Sequence, residues 1–128
     1  MRLIGFLFPL LLAAAPAAVE VEGLQAGMPV GAVEKKTHVK AEHGKLVFSP
    51  NEKTQVEVDF DKRGLAQRIY VTYQRGMTPL KDFTDRYGDP VRRQKGSNVK
   101  YVFHAPGVSS LTLEKETGYP GYYVEVVR

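Results

Sequence analysis

His38 and His43 stand five positions apart among Lys36, Lys40 and Lys45, and two imidazoles can begin a metal site. A lasting zinc site takes three or four ligands. The third histidine, His104, is remote and the chain has no cysteine, so these residues read as surface histidines and no metal is expected. Asp59, Asp61, Asp82, Asp85 and Asp89 are the residue type for paired-carboxylate acid–base chemistry. Each has a simpler role. Asp59 and Asp61 fall outward at a hairpin, Asp82 and Asp85 on the exposed side of a short helix, and Asp89 in the turn that closes it. Ser49, Ser97, Ser109 and Ser110 lack the strand–turn–helix setting that exposes a nucleophilic serine. No glycine-rich phosphate loop is present, and neither an enzymatic role nor a cofactor is expected.

What remains suits contact better than catalysis. Arg86, Arg92, Arg93 and Lys95 form the densest basic stretch, and Tyr101, Tyr119, Tyr122 and Tyr123 the densest aromatic one. Arginine and tyrosine are the side chains that most often anchor protein interfaces. Strand parity singles out Tyr70 and Tyr123 as members of a binding surface, with Arg92 and Arg93 at its rim.

The elements that must position them follow from periodicity. Val56, Val58 and Phe60 alternate with Glu57 and Asp59, and Ile69, Val71 and Tyr73 alternate with Arg68, Tyr70 and Thr72. Period two is the mark of a half-buried strand. Asp61-Lys62-Arg63-Gly64 between them is a hairpin signal. Leu46 and Phe48 give an earlier strand; Val99, Tyr101 and Phe103, then Leu111 and Leu113, then Tyr122, Val124 and Val126 give three later ones. Leu80, Phe83 and Tyr87 fall on one stripe of a helix, with Thr78 as N-cap, Pro79 in the first turn and Gly88 as the closing residue. A weaker helix runs from Pro29 to about Lys36, after an unanchored lead-in from Val19. The segment from Pro90 to Asn98 reads as a loop.

The two halves align. Gly27-Met28-Pro29 matches Gly76-Met77-Thr78-Pro79, and the strands follow in the same order. The expected fold is α+β, with two tandem repeats of a helix and a three-strand antiparallel meander, about 27–74 and 75–128. These would form one continuous sheet or two, with the short helices packed on one face.

Composition sets the surroundings. Met1 and Arg2, the apolar run LIGFLFPLLLAAA and the triplet Ala15-Pro16-Ala17 match an export signal over residues 1–17, leaving a single domain over 18–128. The apolar run is short for a span and contains Pro9, so no lasting membrane anchor is expected. The net charge of +4 is mixed along the chain and gives no reason to expect nucleic-acid binding.

Gly76-Met77-Thr78, a short helix, Gly88-Asp89-Pro90 and an aromatic strand resemble the pattern of the small outer-membrane assembly lipoproteins of the SmpA/OmlA type. The same stretch is similar to the repeats of the beta-lactamase inhibitor protein superfamily. The resemblance covers Gly76 to about Phe103 well and Gly27 to Phe48 in outline. It departs from the lipoproteins in lacking the lipid-bearing cysteine, and the first repeat has no Gly-x-Pro close. What it implies is a non-enzymatic, periplasmic or secreted domain that binds a protein of the cell envelope, as an assembly accessory or an enzyme inhibitor. The alternative is a module whose apolar sheet face holds a small hydrophobic ligand.

The leader reading carries a direct check. Intact-mass analysis of exported material should show a chain beginning at Ala18 or Val19; a full-length mass in the membrane fraction would overturn it.

Overall fold

The alternating stretches build a sheet in the computed structural model, which describes residues 19–74, 79–119 and 121–128. Among the described residues there are two helices, α1 (Val30–Thr37) and α2 (Leu80–Tyr87). The strands are β1 (Lys45–Asn51), β2 (Thr54–Phe60), β3 (Ala66–Tyr73), β4 (Val91–Lys95), β5 (Asn98–Phe103), β6 (Ser110–Lys115) and β7 (Tyr122–Val127). All pair antiparallel in one seven-stranded sheet of order β1-β2-β3-β7-β6-β5-β4. The leader, Gly76 to Thr78 and Pro120 lie outside the described residues, and with them the expected N-cap.

Register makes the core. Leu46, Val58, Ile69, Val126, Leu111 and Phe103 face one another across six strands, and Phe48, Val56, Val71, Val124, Leu113 and Tyr101 form the next parallel row. Most of these side chains are fully buried, each burial stabilising by about 1.5–3 kcal/mol. Val33 of α1 and Phe83 of α2 press onto the same face. Phe83 meets Phe103 edge-on at 5.9 Å and Tyr87 at 6.1 Å. Each helix is only eight residues long, too short to persist without this packing.

Two expectations need correction. The fold is β-rich and not α+β, and the halves are not equivalent repeats of one helix and three strands. The second half carries four strands, because 91–95 continues the sheet where a loop was expected. All five residues of β4 are exposed, so nothing required an apolar side chain at alternate positions and the period-two signal is missing. Each helix, moreover, supplies a single fully buried side chain, whereas the strands supply most of the core.

The lead-in is anchored. Val19, Val21 and Leu24 are buried, and Val21 and Leu24 exchange backbone hydrogen bonds of 2.9 and 3.0 Å across Glu22 and Gly23. Lys36 Nζ donates to the Gly23 carbonyl at 2.8 Å, and the Tyr73 hydroxyl donates to the Glu22 carboxylate at 2.9 Å. Further along, Gly27 N–H donates to Ala66 O and Ala66 N–H to Met28 O. These apolar residues complete the cover that two short helices leave unfinished.

The helix ends differ in chemistry. Gly88 takes φ 86° and ψ −179°, backbone that essentially only glycine visits, while its N–H donates to Thr84 O at 2.9 Å. His38 ends α1 at φ 60° and ψ 27°, in the left-handed region that a side chain resists. Opposite effects should follow. Gly88→Ala should destabilise by about 1–2 kcal/mol through strain alone, since a Cβ there meets no neighbour among the described residues. His38→Gly should stabilise by about 0.5–1 kcal/mol. Denaturant titration of both variants checks the pair; equal and unchanged midpoints would contradict the cap geometry.

Candidate functional site

The apolar rows leave the other parity outward, and no helix covers that side among the described residues. Its middle row runs Val47, Glu57, Tyr70, Glu125, Thr112, Val102 and Val91 across the whole sheet. The row beside it runs Gln55, Thr72, Tyr123, Glu114, Lys100 and Arg93. Val47 and Val91, at opposite ends of the middle row, are large apolar side chains left 41 % and 45 % exposed.

Pairing of β3 with β7 places the centre. Tyr70 lies opposite Glu125 and Thr72 opposite Tyr123, so Tyr70 and Tyr123 are diagonal neighbours on one face. Their rings stack with centroids 5.8 Å apart and 20° between planes. Tyr119, in the turn before β7, also stacks on Tyr123, with centroids 4.9 Å apart and again 20° between planes. Its hydroxyl donates to the Tyr73 carbonyl at 3.2 Å. Gly121 makes this turn possible, because a Cβ at that position would overlap the Tyr73 carbonyl oxygen.

Arg68 closes the other end. Its guanidinium lies 4.6 Å from the centroid of Tyr70, within range of a cation–π contact. Nε donates to Glu125 at 2.5 Å and Nη1 to Asp59 at 3.3 Å, with Glu57 at 3.6 Å. Lys45 Nζ reaches Glu57 at 3.4 Å and Asp59 at 3.9 Å. Two cations and three carboxylates thus form one network at the end of a four-member stack, Arg68, Tyr70, Tyr123 and Tyr119. Burial works against the Arg68 charge, but the hydrogen bonds it donates to Glu125 and Asp59, with the charges of those carboxylates, outweigh it and hold its pKa above the ordinary arginine value. Burial, then the adjoining Tyr123, raises the Tyr70 phenol; burial, then a hydrogen bond with Glu116, raises that of Tyr123. Both phenols therefore stay protonated through neutral pH.

Of the residues expected at the site, the structure brings Tyr70 and Tyr123 together. Arg93 shares their face but lies three strands from Tyr123, about 14 Å at ordinary strand spacing. Arg92 has the opposite parity, across from Tyr101, and is not part of this surface. Arg68 and Tyr119 complete the stack. Arg68 could be placed beside Tyr70 by alternation, but its partnership with Glu125 follows only from the β3–β7 register.

Among the described residues no group of three or more His, Cys, Asp or Glu could hold a metal ion. Asp82 pairs with Arg86 at 3.2 Å and Asp85 with Lys81 at 2.7 Å, as neighbours along α2. Asp61 accepts the N–H groups of Leu65 at 3.0 Å and Arg63 at 2.8 Å, which hold its carboxyl below the usual range and shape the hairpin turn. The cleft of about 210 Å³ beside α2 is lined by Val21, Glu22, Tyr73, Pro79, Asp82, Phe83 and Arg86. Burial, reinforced by the Glu22 carboxylate, raises the Tyr73 hydroxyl pKa, so this phenol holds its proton and serves to tie down the lead-in.

The network has a measurable signature. Arg68→Met leaves Glu57 and Asp59 with Lys45 alone and takes away the cation that Glu125 pairs with, and should cost about 1 kcal/mol at low ionic strength. In roughly 1 M salt, screening should narrow the difference between variant and parent. Thermal melts at the two salt levels check this; a difference that does not change with salt would assign the loss to packing. Comparison with protein-family models, with curated proteins and with solved structures gives no match for this chain.

Proposed function

We propose that the chain is an exported, non-enzymatic domain of the cell envelope that binds another protein through the uncovered face of its sheet. The observation that carries this reading is the stack of Arg68, Tyr70, Tyr123 and Tyr119 at the centre of that face. Aromatic side chains of two rotatable bonds give contact area at small entropic cost, and arginine and tyrosine dominate the energetics of interfaces. Stacking and the ion network hold these rings in place before a partner arrives, which reduces the ordering that binding must supply.

The leader-like N-terminus supports export, and the resemblance of residues 76–103 to assembly lipoproteins and beta-lactamase inhibitor repeats supports an envelope component or an enzyme as the partner. A small hydrophobic ligand would need an uncovered apolar face. The apolar face is filled by Val19, Val21, Leu24, Val33 and Phe83, which is why docking of a protein is preferred.

Tyr70→Ala and Tyr123→Ala test the proposal. Neither side chain belongs to the fully buried core, so each variant should lose no more than about 1 kcal/mol of stability, mostly the stacking contribution. Capture of a partner from a periplasmic extract should fall about tenfold, the effect of losing a central interface aromatic. Phe83→Ala, by contrast, should cost about 3–5 kcal/mol and affect capture only through unfolding. Folded tyrosine variants that capture as well as the parent would remove the sheet face from consideration.

A further inference from the structure

The sheet has two edges, and they are closed in different ways. β1 contains Pro50, and its pairing with β2 shifts register between Phe48 and Asn51. A proline lacks the N–H that a further strand would need, and an irregularity bends the edge out of line; both are common means of stopping a sheet from growing. β4 has neither. Its residues pair with β5 without a shift, from Val91 opposite Val102 to Lys95 opposite Asn98, and all five are exposed. On the outer side of such a strand, N–H and C=O groups of alternate residues point away from the existing neighbour. The backbone of β4 is therefore a template for one more strand.

Charge decides which strand would fit. Arg92, Arg93 and Lys95 lie on β4, and Lys100 of β5 stands opposite Arg93. With Gln94, Asn98 and Glu114, three of these cations line a cleft of about 280 Å³ at the β4–β5 hairpin. Glu114 is the one carboxylate in that lining, and it faces Lys100 across the β5–β6 pair. The cations occupy both faces of the edge: Arg93 and Lys95 share the face of Tyr123, while Arg92 lies on the other. A second copy of β4 laid antiparallel would bring arginines against arginines, and like charges in cross-strand positions are destabilising. An extended segment with carboxylates would meet a cation on either face, and guanidinium forks can take carboxylates through two parallel hydrogen bonds.

We propose that β4 is a β-augmentation site that accepts an extended acidic segment of a partner protein as an additional edge strand of the sheet. Backbone ladder bonds would supply affinity and the basic side chains selectivity, the division of labour seen in strand-addition complexes generally. The site goes beyond the tyrosine face and does not depend on it, since β4 lies three strands from β7. The bland role for the same charges is to keep the edge solvated and unpaired. These roles differ in outcome, because a solvated guard has no use for the partner's backbone.

The experiment uses the mature chain and three synthetic peptides of about ten residues, long enough to span the edge. One alternates glutamate with valine and threonine, one replaces each glutamate by lysine, and one keeps the glutamates but carries N-methyl groups on consecutive amides of its middle, so that N–H groups toward both edges are removed. The acidic peptide should shift and protect the amide signals of residues 91–95 in proton–nitrogen spectra. The lysine peptide should do neither, and N-methylation should weaken binding about tenfold or more. Arg92→Glu with Arg93→Glu should weaken the acidic peptide to a similar extent, with the melting transition unmoved because both side chains are exposed. Should that double variant misfold, Arg93→Gln should give the same direction with a smaller loss. Tyr70→Ala and Tyr123→Ala should bind the peptide as the parent does, which separates this site from the tyrosine face. Equal binding of the N-methylated peptide, or amide shifts that avoid 91–95, would overturn the proposal.

Discussion

The pairing of β3 with β7 is the constraint on which the rest of the molecule depends. Residues 68–73 of β3 meet 127–122, the whole length of β7, although more than fifty positions separate Arg68 from Val127. That one register makes two meanders into a single sheet, aligns the apolar rows from Leu46 to Phe103, and sets Tyr70 diagonal to Tyr123. A one-residue slip would turn Val124 and Val126 outward and bring Tyr123 and Glu125 under the helices. Further bonds lock the end of the pair: Arg128 N–H donates to Gln67 O at 3.0 Å, and its guanidinium reaches Asp61 at 3.1 Å.

Covering one face and leaving the other open shapes the chemistry on both. Under the helices, side chains are mostly aliphatic, with a few aromatic ones, and chiefly fill space. On the open side the same strands carry residues that need each other: carboxylates held by Arg68 and Lys45, rings stacked on rings. Exposed ion pairs contribute little individually, but one guanidinium shared among three carboxylates restricts several side chains together. A face so ordered is suited to rigid contact.

Much of this arrangement was legible in the sequence and some was not, for identifiable reasons. Strands that are buried on one side announce themselves by alternation, as Val56–Phe60, Ile69–Tyr73 and Leu111–Leu113 do. β4 has no buried side and therefore no pattern; its exposed arginines look the same in a strand as in a loop. The lead-in misleads in the opposite way, since Val19, Val21 and Leu24 follow neither a helical nor an extended period for long enough to show which side they cover. Tyr70 and Tyr123 could be assigned outward from their own strands, but their adjacency required the register of two distant segments. Tyr119 sits in a turn with no parity at all, and its ring is held at the stack by the close approach of Gly121 to Tyr73 and by its hydroxyl's hydrogen bond to the Tyr73 carbonyl.

The position of β7 inside the sheet, between β3 and β6, has a consequence for the order of assembly. As the chain is made from its N-terminal end, β3 and β6 both remain unpaired on one side until residues 122–127 emerge. Each half then presents a one-sided apolar ribbon with an open edge, the form most prone to join a wrong neighbour. Closure comes late and from a long distance along the chain, which slows folding relative to a sheet built of adjacent hairpins. A nascent molecule of this topology therefore passes through an interval of vulnerability that ends only when its seventh strand slots into the gap.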